Sequence, residues 1–163
     1  MTSLPSLPER LSHLTPREAI TDTLNRCLHG LDTNDIDLFT SAFTQTATMK
    51  LNEYTSEGIQ AIKADCFDRI AKLDTTHHVT NIRIAIDTPE TKAAATASVI
   101  AHHFRSGEGM EPDKRGLLTG AFYYVDFVRG EDGSEYGDGM WRIERFLMQT
   151  SWREGDMRVL TSD

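Results

Sequence analysis

Residues 77–105, HHVTNIRIAIDTPETKAAATASVIAHHFR, decide the fold. They read as two long strands, about 77–87 and 93–105, in which β-branched residues recur and apolar positions alternate with polar ones. Two further segments of the same kind follow at about 116–129 (GLLTGAFYYVDFVR) and 140–152 (MWRIERFLMQTSW). The polar break 106–114, with two glycines and a proline, separates the second strand from the third. The glycine- and acid-rich stretch 130–139 (GEDGSEYGDG) reads as a hairpin connection. Strands of this length, joined in order, make an antiparallel meander that twists and curls rather than lying flat.

Upstream the apolar period changes. Thr15-Pro16-Arg17-Glu18 is a helix start, with Thr as N-cap, Pro at the first helical position and Glu three residues after the cap. Ile20, Leu24, Cys27, Leu28 and Leu31 then share one helical face, and Asp32-Thr33-Asn34-Asp35 is a polar turn. A shorter helix follows with Ile36, Phe39 and Phe43 as its apolar side. Residues 46–51 (TATMKL) alternate as a first strand with Ala47, Met49 and Leu51 on one side. Residues 58–73 form a third helix through Ile59, Ile62, Cys66, Ile70 and Leu73. The expected fold is α+β: a cone-shaped, curled antiparallel β-sheet packed on three N-terminal helices. A cone has a mouth, and ligands favour such concavities. Residues 1–14 are expected to be a flexible N-terminal arm, 15–156 one domain, and 157–163 a C-terminal tail.

The chain of 163 residues, 39% hydrophobic and 26% charged, suits a single domain with a real core. Its formal charge of −8, with no basic cluster, opposes nucleic acid and anionic membrane as partners. No apolar run is long enough to span a bilayer, and residues 1–14 (MTSLPSLPERLSHL) lack the apolar centre of a signal peptide, so the expected location is cytoplasmic. Cys27 and Cys66 both fall on apolar helical stripes and read as buried thiols.

Three stretches, LHGLDTNDIDLF (28–39), TTHHVTNIRI (75–84) and DGMWRIERFLMQTSWREGD (138–156), resemble the SnoaL-like branch of the nuclear-transport-factor-two-like superfamily, whose members are curled α+β cones. The resemblance runs in order over residues 15–156. Such cones host dehydratases, isomerases, polyketide cyclases, epoxide hydrolases and subunits without chemistry, so fold alone does not name the reaction. Within the superfamily the nearest functional likeness is to the scytalone dehydratases. It implies that Asp32 sits where those enzymes have an aspartate, and that His77 and His102 occupy the positions of their catalytic histidines. Tyr54 then falls close to a water-binding tyrosine. Leu31 stands where the dehydratases carry a second tyrosine, and their pocket-floor serine and asparagine have no counterpart around Thr119 and Gly120.

Histidine titrates near neutral pH, so two imidazoles in one cavity can act as acid and base, and a carboxylate bonded to one of them fixes its tautomer. Asp32 is expected to pair with His102, leaving His77 to face the reacting atoms. Met49, Phe104, Phe122 and Phe146, with Tyr54 and Tyr124, are the expected lining for an apolar substrate. Strand parity puts the two members of His77-His78, and of His102-His103, on opposite faces. On β-parity alone His78, not His77, shares a face with Ile82, Ile84 and Ile86; a bulge near Asn81 would bring His77 inward instead. Asp32 alternatively reads as a turn residue, Asp35 as an N-cap, Tyr123 as core or rim, and Trp141 with Ile143 as core. Arg145 and Asp126 lie on strands, either solvated or in the pocket. Metal-ligand spacing, a glycine-rich phosphate loop and G-x-S-x-G are all lacking, so no metal, no cofactor and no serine nucleophile are expected. The reading is a cofactor-independent lyase or isomerase of a small hydrophobic, oxygenated polyketide or terpenoid intermediate. A SnoaL-type cyclase and a non-catalytic assembly subunit are the alternatives, and a homo-oligomer, dimer or trimer, is expected from family habit.

Overall fold

The computed structural model describes residues 8–130 and 137–161. Residues 1–7 of the expected arm, 131–136 of the hairpin connection and 162–163 of the tail lie outside the described residues.

Helix α1 (Pro16–Thr33) begins with the capping box read from Thr15 and Glu18 and ends at Asn34, whose φ of 56° closes the last turn in the left-handed region. Helix α2 (Ile36–Ser41) is capped by Asp35, which accepts the Leu38 N–H at 3.0 Å. Phe43 does not extend α2. It opens strand β1 (Phe43–Leu51), because the threonines that follow favour the extended backbone. A tight turn at Asn52 leads to β2 (Tyr54–Glu57), a short edge strand too brief to show an alternating pattern in the sequence. The next helical segment runs from α3 (Ile59–Ile62) through a π-helical turn (Lys63–Phe67) into α4 (Asp68–Ile70). Strands β3 (Asp74–Ile86), β4 (Lys92–Phe104), β5 (Leu117–Arg129) and β6 (Trp141–Gly155) match the meander within a few residues.

The strands form one open, six-stranded sheet in the order β2-β1-β6-β5-β4-β3. Every pairing is antiparallel except β1 on β6, which is parallel because the helical segment and the meander lie between those two strands in the chain. The inner face of β4 is small: Ala93, Ala95, Ala97, Val99 and Ala101 are buried. That leaves room for the α1 stripe of Ile20, Leu24, Cys27, Leu28 and Leu31 to pack into the cone. Phe39 sits between Phe43 and Phe67 with ring centroids 5.1 Å from each. A Cβ at Gly30 would meet the Phe39 backbone at 2.6 Å, so only glycine lets α2 fold back so closely on α1. The buried Arg26 guanidinium holds the helices to the sheet through the Ser41 carbonyl (2.7 Å) and the Trp141 carbonyl (3.0 Å). No helix among the described residues is long and apolar enough to cross a membrane.

The C-terminal residues are ordered as a turn of 3-10 helix, Met157–Leu160, capped by Asp156 and anchored by buried Val159. Free Cys27 and Cys66 are buried, as their helical stripes implied.

Candidate active site

The cone encloses a cavity of about 570 Å³. Met49, Val99, Ala121, Phe146 and Met148 make much of its wall, and His77, His103, Thr119 and Tyr123 bring polar atoms to it. Its mouth is edged by Tyr54, Arg69, Arg153 and the C-terminal turn through Met157 and Leu160.

His77 reaches this wall because β3 is bulged. Thr80 pairs with Ser98 but Arg83 pairs with Thr96, so β3 carries one residue more than β4 across that interval. Asn81 takes up the extra residue at φ 54°, a conformation that Asn tolerates better than most residues. His77 and Val79 therefore face inward on one side of the bulge, and Ile82, Ile84 and Ile86 do so on the other.

Asp32 lies in the last turn of α1, a turn with no basic residue, where the negative end of the helix dipole disfavours a carboxylate. It is held there by a single partner used twice. The backbone N–H of His77 donates to Oδ2 at 2.8 Å, and His77 Nδ1 lies 2.6 Å from Oδ1. A carboxylate only accepts, so Nδ1 carries a proton, and in the neutral ring that tautomer leaves the lone pair on Nε2. Asp32 is thus bonded to a residue of the cavity wall, and its ring partner is His77.

The expected pairing with His102 is corrected. On β4 the buried positions are the odd-numbered ones from Ala93 to His103, so His102 points outward, exposed, with its ring 4.5 Å from Phe104. The inward member is His103, 5% exposed, with Nδ1 2.7 Å from Thr75 Oγ1 and its ring 5.3 Å from that of His77 at 70°. Burial, and then the proximity of His77, push the His103 imidazole down to about 4, which keeps it neutral at physiological pH.

Of the expected lining, Met49 and Phe146 are in the wall and Tyr54 is at the exposed rim. Phe104, Phe122 and Tyr124 are corrected: they share the outer face with His102, because their strands alternate and the inner positions belong to His103, Ala121 and Tyr123. Tyr123 packs against Phe146 at 4.7 Å, and burial raises its phenol well above the ordinary range, so it stays a proton donor. Burial likewise pushes the Cys66 thiol up to about 12, and both cavity-lining cysteines are uncharged wall. Arg145 and Asp126 form a 2.6 Å ion pair on the outer side, and Trp141 and Ile143 are core. Among the described residues no group of three His, Cys, Asp or Glu side chains gathers as a metal site would need.

The alternation of β4 in AAATASVIAHHF carries the signal for His103: small residues occupy every second position up to it. Arg69, Arg153 and the Met157–Leu160 turn have no such signal, since bulges and tail docking place them.

Residues 12–146 match the family model of the SnoaL-like domain. Terrestric acid biosynthesis cluster protein E of Penicillium crustosum is 42% identical over 156 residues, covering 95% of this chain and 96% of that protein. Among solved structures, a candidate scytalone dehydratase from Novosphingobium aromaticivorans superposes with a TM-score of 0.69 at 21% identity, over 85% of each chain. A hexachlorocyclohexane dehydrochlorinase from Novosphingobium barchaimii superposes at 0.67 with 17% identity, over 90% of this chain and 94% of that one. At those identities the structural likeness speaks for the shared cone.

Proposed function

This chain belongs to the SnoaL-like domain family, and from that premise we propose that it is a cofactor-independent acid–base enzyme, a lyase or isomerase of a small apolar, oxygenated biosynthetic intermediate. The observation that carries the reading is the Asp32–His77 contact of 2.6 Å at the wall of the cone's cavity. The relative from a terrestric acid cluster supports a biosynthetic setting. The candidate dehydratase and the dehydrochlorinase that share the fold are both named for eliminations, which supports the same class of reaction.

In the proposed reaction His77 Nε2 removes a proton from a carbon next to a carbonyl, and Asp32 stabilises the imidazolium that forms. The C–H electron pair becomes the new C=C bond. In elimination the C–O bond breaks and the leaving hydroxyl takes the proton back from His77 as water. In isomerisation the proton returns to a different carbon. Neutral His103 and the Tyr123 phenol are the donors available to the carbonyl oxygen as it gains charge. The outer sheet face, where Ile100, Phe122, Tyr124 and Trp152 are exposed, is assigned to contact between copies of the chain.

The test is complementation of a terrestric acid cluster that lacks its protein E. Wild-type chain should restore the product, and the intermediate that accumulates without it should be converted by the purified protein with no added cofactor. In D2O, isomerisation should place deuterium at the carbon that receives the proton, whereas elimination should release the abstracted hydrogen to solvent and leave no deuterium at the new double bond. Equal conversion by His77→Ala would overturn the reading.

A further inference from the structure

Two guanidiniums stand at the mouth of a cavity whose body is apolar, Arg69 from the helical wall and Arg153 from the sheet. Arg153 faces inward only through a further irregularity of the backbone. Thr150 pairs with Ala121 and Trp152 with Gly120, so Ser151 is an extra residue on β6. Phe146, Met148 and Thr150 face the cavity, and unbroken alternation would turn Trp152 inward and Arg153 out. The bulge reverses the two. The Trp152 indole lies over Gly120, where any Cβ would collide with it, and Arg153 comes opposite Thr119 with both lining the cavity.

Among the described residues the Arg153 guanidinium has neither an ion-pair nor a hydrogen-bond partner. The one carboxylate among the described residues lining the cavity, Asp65, accepts from Ser56 Oγ at 2.7 Å. Arg69 makes, among the described residues, a single long contact, 3.4 Å, to the Leu160 carbonyl. A guanidinium stays charged at any working pH, and its planar fork fits a carboxylate with two parallel hydrogen bonds. Deeper in, neutral His103 offers no competing positive charge.

We propose that the substrate is a carboxylic acid, its carboxylate gripped at the mouth by Arg153 with Arg69 across from it, its apolar body running inward to His77. The proposal rests on the acid–base reading for the direction of the substrate and not for the contact itself. Arg153 sets specificity and orientation; it does not move a proton.

Binding of octanoate and octanamide, measured by calorimetry, isolates the contact from the chemistry. Wild type should prefer the acid by at least ~10-fold, about 1.4 kcal/mol. Arg153→Gln should bring that ratio to within about twofold while octanamide binding, the check on folding, stays unchanged, and Arg153→Lys should retain part of the preference as a point charge. Equal affinity for acid and amide, no binding of the acid, or a preference that survives Arg153→Gln would each overturn the proposal. His77→Ala should keep the preference. A variant that keeps both the preference and full turnover would refute the acid–base reading alone.

Discussion

His77 holds Asp32 at two points, the ring at 2.6 Å and the backbone N–H at 2.8 Å, so the carboxylate and the imidazole are fixed to one another by the same residue. Asp32→Asn removes the negative charge beside the ring yet keeps the side-chain volume and an acceptor oxygen. Turnover of the intermediate should fall at least ~100-fold, the usual worth of a positioned acid–base group. Thermal unfolding should move little, since the amide can still accept the His77 N–H. A turnover within a few fold of wild type would remove Asp32 from the mechanism.

Acid stability reports on His103. Its folded-state value of about 4 lies below the 6.5 of an unperturbed imidazole. Between those two values the unfolded chain binds a proton that the folded chain refuses, so stability is lost as pH falls from about 6.5 to about 4. Each unit is worth about 1.4 kcal/mol, which makes the full loss a few kcal/mol. Urea midpoints taken across that window should fall more steeply for wild type than for His103→Gln. Parallel slopes would show that the buried ring carries no such penalty.

Asn81→Val should cost about 1–2 kcal/mol, since a β-branched residue resists the left-handed backbone that φ 54° requires. Asn81→Gly should be tolerated. Removing residue 81 altogether should put His77 out of the cavity while the isoleucines remain in the core, abolishing turnover in a folded protein. The same residue marks the limit of what the sequence makes legible. Helix starts, the three helical stripes and the meander follow from period and capping, which are local. Face assignment on β4 was also local, and reading every second residue from Ala93 leads to His103 rather than His102. Face assignment on β3 and β6 was not, because an extra residue at Asn81, and others at Glu144 and Ser151, each reverse everything beyond them. Pairing Asp32 with a histidine was a matter of chemistry, and choosing which histidine was a matter of register.

The exposed outer-face residues Ile100, Phe122 and Tyr124 should bind a second copy of the chain. Light scattering on the wild type should give a multiple of 18.3 kDa. Phe122→Asp combined with Ile100→Lys should return it to one, with the cavity and its chemistry intact because neither residue lines it. A monomeric wild type would leave that face without a self-contact.

Gly120→Val should act on substrate binding through a residue it does not touch. The new side chain overlaps the Trp152 indole, and relieving that overlap means shifting the ring or the strand that carries it. The stability cost should be about 1–3 kcal/mol, as for other overpacked sites. Trp152 and Arg153 are consecutive on the bulged strand, so the shift also moves the guanidinium away from its place opposite Thr119. KM for the acid substrate should therefore rise several fold while kcat, set by Asp32 and His77, changes less. Trp152→Ala alone should be mildly destabilising, and in combination with Gly120→Val it should recover much of the lost stability and of the KM. That non-additivity is the signature of two residues in direct contact. Additive losses would mean that the indole does not rest on Gly120, and with it would go the account of how Arg153 comes to face the cavity.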